Sequence, residues 1–328
     1  MKTSSKRSLC VAVLSLNFIA HLEAAESSLN MRTLKGHEGS VMCLSFTPDG
    51  KTLASSSRDD TVRFWDVATG KFLRHLVHHT DDVYGVCYSP DGRLLATASS
   101  DKRVCLWDAD SLKLLKTYDK HEGIVRWVTF SPDGKTLASC GTDLTVRIWD
   151  IETGRQKYVL RGHKSRTQCV EFSADGKFVA SCGDGVRLWD PKKGEAICEL
   201  ASPLGHFETL AISPDSKLIV GSSSAGPLVV WDVAQRKLLK LLDEDNQLEA
   251  DSVAFSPDGK WLAGGSKSKS IRVYDATSLE LVRVIPDNPG RIESLEFSPN
   301  SKILAHGGGG GDSSIYFWNG EQFPKLSR

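Results

Sequence analysis

Seven times along this chain a short apolar run closes on an aromatic residue followed by Asp or Asn. The aromatics are Trp65, Trp107, Trp149, Trp189, Trp231, Tyr274 and Trp318. Their spacing of roughly 40 to 44 residues is the length of one four-stranded antiparallel unit. "FTPDGKTLASSSRDDTVRFWD", "YSPDGRLLATASSDKRVCLWD", "FSPDGKTLASCGTDLTVRIWD" and "FSADGKFVASCGDGVRLWD" are close copies. "ISPDSKLIVGSSSAGPLVVWD", "FSPDGKWLAGGSKSKSIRVYD" and "FSPNSKILAHGGGGGDSSIYFWN" are looser ones. Each copy splits into four strand-length runs rich in Val, Leu, Phe, Ser and Thr, with no helical period. In the first copy these runs are Val41–Phe46, Thr52–Ser57, Val62–Asp66 and Lys71–Leu76. Pro-Asp-Gly supplies the first turn, because Pro presets φ and Gly accepts positive φ. One such sheet cannot bury both its faces. Seven stacked in a ring can, so the period predicts an all-β, seven-bladed propeller.

Gly36-His37 and Gly162-His163, each followed by an Asp and then by Trp-Asp, give the repeats their wording. In this the chain resembles the WD-repeat β-propellers over about Asn30 to Asn319, in the bacterial type of repeat that reads "SPDGKTLAS". The resemblance implies ring closure: Asn30–Leu34 should form the outermost strand of the last blade, beside Ser314–Asn319, removing the open edge. Residues 26–29 are then a linker and 320–328 a tail.

The types His, Ser and Asp also suggest a hydrolytic triad. The resemblance implies instead a buried hydrogen-bonded tetrad in four blades. The sets are His37, Ser55, Asp59 and Trp65; His79, Thr97, Asp101 and Trp107; His121, Ser139, Asp143 and Trp149; and His163, Ser181, Asp184 and Trp189. A nucleophile and its base occur once per site, and four equivalent copies point to structure. Blade 5 has Gly221 and Ala225 at the Ser and Asp places, with its His place near Pro203. Blade 6 has Gly264, Ser268 and Tyr274. Blade 7 keeps Asp312 and Trp318 and carries extra glycines at Gly307–Gly311, which read as a flexible turn.

Lys+Arg and Asp+Glu both number 41, so the formal net charge is zero. No basic field gathers nucleic acid. Residues 1–25 read as a secretory signal: Lys2, Lys6 and Arg7, then Leu9–Ala20, then Ala24-Ala25. The segment is too short to span a bilayer. An exported chain would be periplasmic or extracellular, and a start at Met31 would give a cytoplasmic one. Removing the signal takes Cys10 and leaves seven cysteines, an odd number mostly inside strand-like runs, which reads as buried thiols. His75, His78 and His79 lack a completing ligand, so no metal is expected. "HGGGGGD" lacks the Lys-Ser/Thr of a phosphate loop, and no cofactor is expected.

These features predict a non-enzymatic, monomeric platform for a protein or peptide partner. The alternative is an enzyme or small-ligand binder using the channel. The resemblance places one residue of each innermost strand at the channel mouth: Met42, Tyr84, Arg126, Gln168, Glu208, Asp251 and Glu293. The three acids lie on the three blades that lack the tetrad. They predict a negative mouth suited to a basic residue flanked by an apolar one.

Overall fold

The computed structural model describes residues 32–223, 226–242, 249–320 and 323. Among them are twenty-eight strands in seven four-stranded antiparallel sheets. Blade 1 runs outward in chain order through β2 (Val41–Phe46), β3 (Thr52–Ser57), β4 (Thr61–Asp66) and β5 (Phe72–Val77). Blades 2 to 6 repeat this order. The last blade takes β26 (Arg291–Phe297), β27 (Ile303–Gly309) and β28 (Ile315–Asn319) from the C-terminal end of the chain and β1 (Arg32–Leu34) from the other. The register is Arg32 opposite Phe317, Thr33 opposite Tyr316 and Leu34 opposite Ile315. Closure therefore uses the N-terminal strand. Asn30 and Met31, the first residues of the expected closing strand, lie outside the described residues, and so does the segment 1–29.

The turns show why the repeat recurs. In the first, Asp49 Oδ1 accepts from Thr47 Oγ1 at 2.7 Å and from the Lys51 amide at 3.0 Å, and Gly50 sits at φ 69°. Where the glycine is missing, Ser216 and Ser301 take the same left-handed conformation at 61° and 59°, which costs a Cβ-bearing residue more. The core lies between neighbouring blades. Leu34, Val41, Phe46, Trp65, Ile315 and Phe317 form one cluster joining the last blade to the first. In the tail Phe323 is buried and meets Trp261 edge-on at 6.1 Å.

The Gly307–Gly311 segment differs from the flexible turn the sequence suggests. Gly307, Gly308 and Gly309 are strand residues of β27, and only Gly310 and Gly311, at φ 66° and 102°, make the turn. A Cβ on Gly307 would lie 2.6 Å from Val41 Cγ1 of the next blade. Close approach of two blades, rather than mobility, requires glycine there.

Candidate functional site

The four tetrads come together as hydrogen-bonded chains. In blade 3, Trp149 Nε1 donates to Ser139 Oγ at 2.8 Å, Ser139 Oγ lies 2.8 Å from His121 Nε2, and His121 Nδ1 lies 2.9 Å from Asp143 Oδ2. An indole N–H only donates and a carboxylate only accepts. With a neutral imidazole the bonds therefore run from Trp149 to Ser139 to His121 to Asp143. Blade 1 repeats this through Trp65, Ser55, His37 and Asp59 at 2.8, 2.8 and 2.7 Å. Blade 2 does so through Trp107, Thr97, His79 and Asp101 at 3.0, 2.7 and 2.7 Å. In blade 4, Trp189, Ser181, His163 and Asp184 are joined at 2.8, 2.7 and 2.7 Å, and Arg187 adds a 2.9 Å bond to Asp184. Burial pushes the Asp59 and Asp143 carboxyls up, but hydrogen bonds, that of the histidine foremost, outweigh it and hold both well below the usual range. Ser55, Thr97, Ser139 and Ser181 are 0% exposed, and each hydroxyl engages both an indole and an imidazole.

The other blades replace the network. In blade 5, Trp231 Nε1 donates to the Ala201 carbonyl at 2.8 Å, and Phe207 fills the space over Gly221. Ala225 lies outside the described residues. In blade 6, Ser268 Oγ bonds Ser266 Oγ at 2.9 Å, and the Tyr274 ring is buried. In blade 7, the Ser place is His306, which the sequence reading missed. The alignment of "ILAHG" with "TLASS" could have shown it. His306 stacks on Tyr316 at 4.8 Å, and burial pushes its pKa down to about 3. Neither of its ring nitrogens, nor Trp318 Nε1, nor Asp312 Oδ2 finds a hydrogen-bond partner there.

All seven mouth positions line one cavity of about 240 Å³ at the end of the channel. In five blades the pairing of the innermost strand slips at this residue: Met42, Tyr84, Arg126, Asp251 and Glu293 are β-bulges. A bulge re-aims one side chain without breaking the sheet. Gln168 and Glu208 precede their strands instead.

The predicted negative mouth needs correction. Arg58, Arg126, Arg166, Lys267 and Arg291 line the same cavity as the three acids, so cations outnumber carboxylates five to three. The acids are also paired. Arg291 Nη2 is 2.8 Å from Asp251 Oδ2, and Arg291 Nε is 3.5 Å from Glu293. Gln168 Nε2 donates to Glu208 at 2.7 Å, and His206 Nε2 lies 3.3 Å from the other oxygen. Asp251 is buried, not solvated, and burial raises its pKa despite Arg291. Arg58, Arg166 and Lys267 lie in turns and loops, and Arg291 opens β26 two residues before the mouth position of its blade, so a count of one residue per inner strand missed all four.

Beneath the mouth a second cavity, about 230 Å³, is lined by Glu171 and Glu296 and shares Glu293 with the mouth. Trp127 lines both cavities and donates its indole N–H to Glu171 Oε1 at 2.9 Å. Elsewhere, Asp60, Asp81 and Asp82 bring three carboxylates within 4.8 Å of one another near the surface. The seven described cysteines are free thiols.

A closed ring of seven antiparallel blades, four of them locked by a His–Ser/Thr–Asp–Trp network, defines a repeat propeller. Residues 29–66, 70–108, 112–150 and 154–190 match the WD domain, G-beta repeat, and residues 210–300 match the anaphase-promoting complex subunit 4 WD40 domain. The chain belongs to the WD-repeat proteins. Notchless protein homolog of Arabidopsis thaliana is 58% identical over 38 residues, 12% of this chain and 8% of that protein. Periodic tryptophan protein 2 of Saccharomyces cerevisiae is 41% identical over 51 residues, 16% of this chain and 6% of that one. Ribosome biogenesis protein bop1-A of Xenopus laevis is 46% identical over 43 residues, 13% and 6%. The chain thus spans under a tenth of the length of these relatives. The solved "Structure of U3-55K" superposes with a TM-score of 0.81 at 22% identity, covering 88% of this chain and 98% of that one, a likeness of fold.

Proposed function

We propose that this protein is a non-enzymatic platform for protein–protein contacts, and that partners engage the face carrying the channel mouth. The carrying observation is that all seven mouth side chains line one cavity, five of them presented by bulges on the inner strands. The hydroxyls that could pass for nucleophiles are buried within those tetrads, which supports a structural role for all sixteen residues. The stretches shared with notchless, periodic tryptophan and bop1 proteins are each about one repeat long. They speak for common blade chemistry, and the ribosome assembly that one of those names describes is not carried over.

The domain limits 30–319 and the bacterial wording of the repeats belong to the same proposal. So does a compartment set by residues 1–25. The relatives lend export no support, and seven free thiols suit a reducing compartment. Mass spectrometry of the mature N-terminus separates an exported chain from one keeping Met1 or starting at Met31.

A photo-crosslinking residue placed at Glu122, exposed beside the mouth, should capture partners in the native compartment. The same residue at Lys135, in a Pro-Asp-Gly turn at the opposite end, should not. Capture only through position 135 overturns the reading.

A further inference from the structure

Resting on the reading that partners engage the channel mouth, we propose that this face selects an acidic protein segment, seating a carboxylate among Arg58, Arg126 and Arg166 around the Tyr84 ring. Arg126 Cζ lies 4.3 Å from the centre of that ring and Arg58 Cζ 5.8 Å. Among the described residues none of the three guanidinium groups has a carboxylate within ion-pair distance or donates a hydrogen bond, and all three line the mouth cavity. Asp82 feels the field of Arg58 without pairing with it.

The acids opposite cannot answer these charges, because Asp251 and Glu293 hold Arg291, and Glu208 holds Gln168 and His206. The mouth is therefore split into a satisfied acidic side and an unsatisfied basic one. Arg126 is half-buried, and burial together with repulsion from Arg166 and Arg58 lowers its pKa, with Tyr84 and Glu208 opposing. It has left water without gaining a counterion, a cost that an incoming anion offsets. Guanidinium forks match a planar carboxylate in two parallel bonds. The Tyr84 face beside them suits the methylene stem of a Glu side chain. A basic segment would meet five cations within one small cavity.

The test titrates the full chain with fluorescent hexaglutamate, hexalysine and a singly phosphorylated hexaserine. Hexaglutamate should bind, and weaken as salt screens the contacts. The variant Arg58→Gln/Arg126→Gln/Arg166→Gln should lose roughly tenfold or more in affinity, the factor of one lost charge-assisted contact. Lys51→Gln/Lys177→Gln/Lys260→Gln, the same change of charge in turns at the far end, should keep the affinity. If the arginine variant melts early, the single exposed change Arg166→Gln is read instead. Equal affinity in mouth and far-end variants, stronger binding of hexalysine, or preference for the phosphopeptide overturns the inference. Partner capture through position 122 that survives the arginine changes would sink it while leaving the platform reading intact.

Discussion

At the scale of single residues, the tetrad settles how much one carboxylate holds. Asp143 accepts from His121 Nδ1, from Thr145 Oγ1 at 2.8 Å, from the Thr145 amide at 3.2 Å and from the Glu122 amide at 3.2 Å. Asp143→Ala should destabilise the fold by about 1–3 kcal/mol, because buried donors lose their acceptor together. Urea unfolding measures it, and unchanged stability with loss of a hydrolytic activity would reverse the structural reading. The pH dependence has a definite sign. The folded carboxyl is held below its ordinary 3.8, so its contribution is full above that pH and is lost as pH falls toward the folded value. The deficit of the Ala variant should therefore shrink in acid. His306 acts in the same direction in a different window. Its pKa of about 3, against 6.5 in the unfolded chain, removes stability as pH falls between those values.

At the scale of the strand, the repeat was legible because turns and aromatics recur in phase, whereas register was not. The four runs of blade 1 fall within a residue or two of the observed strands, since Pro-Asp-Gly fixes each first turn chemically. A bulge leaves no residue signature: Met, Tyr, Arg, Asp and Glu occupy that position in five blades. Of the charges facing them, Arg58, Arg166 and Lys267 come from turns and loops that strand counting skips, and Arg291 from a strand position the count passes over. "GGGGG" misled for a related reason. Composition suggests freedom, but three of those glycines are strand residues packed where a side chain would collide. Gly307→Ala should cost about 1–3 kcal/mol by forcing Val41 and Ser294 away. Gly205→Ala, which meets nothing within 4 Å, should stay within roughly 0.5 kcal/mol. Equal thermal shifts for the two would refute blade contact as the reason for glycine at 307.

At the scale of the whole molecule, ring closure creates a channel that no single blade contains, and with it an ionisation no single repeat shows. Glu171 and Glu296 come from blades 4 and 7, and the ring brings them, both half-buried, to line one cavity beneath Trp127. Burial raises the Glu171 pKa to about 7 against hydrogen bonds from Trp127 and Thr129. Burial, reinforced by the charge of Glu171, raises Glu296 to about 8. Both unfolded values are 4.5. Between 4.5 and the folded values the native state therefore holds protons that the unfolded chain has released. By linkage, stability falls as pH rises through that window and levels off above it. Each pKa unit of the shift corresponds to roughly 1.4 kcal/mol at most. Glu171→Gln/Glu296→Gln keeps the shape and the hydrogen-bonding capacity of the neutral acids but cannot ionise. The double variant should match the parent near pH 4.5 and exceed its stability progressively toward pH 8, by a kcal/mol or more. Urea midpoints across that range provide the measurement. Parallel pH profiles for parent and variant would mean that water enters the channel freely and that the inner strands around this cavity do not shield the two carboxyl groups.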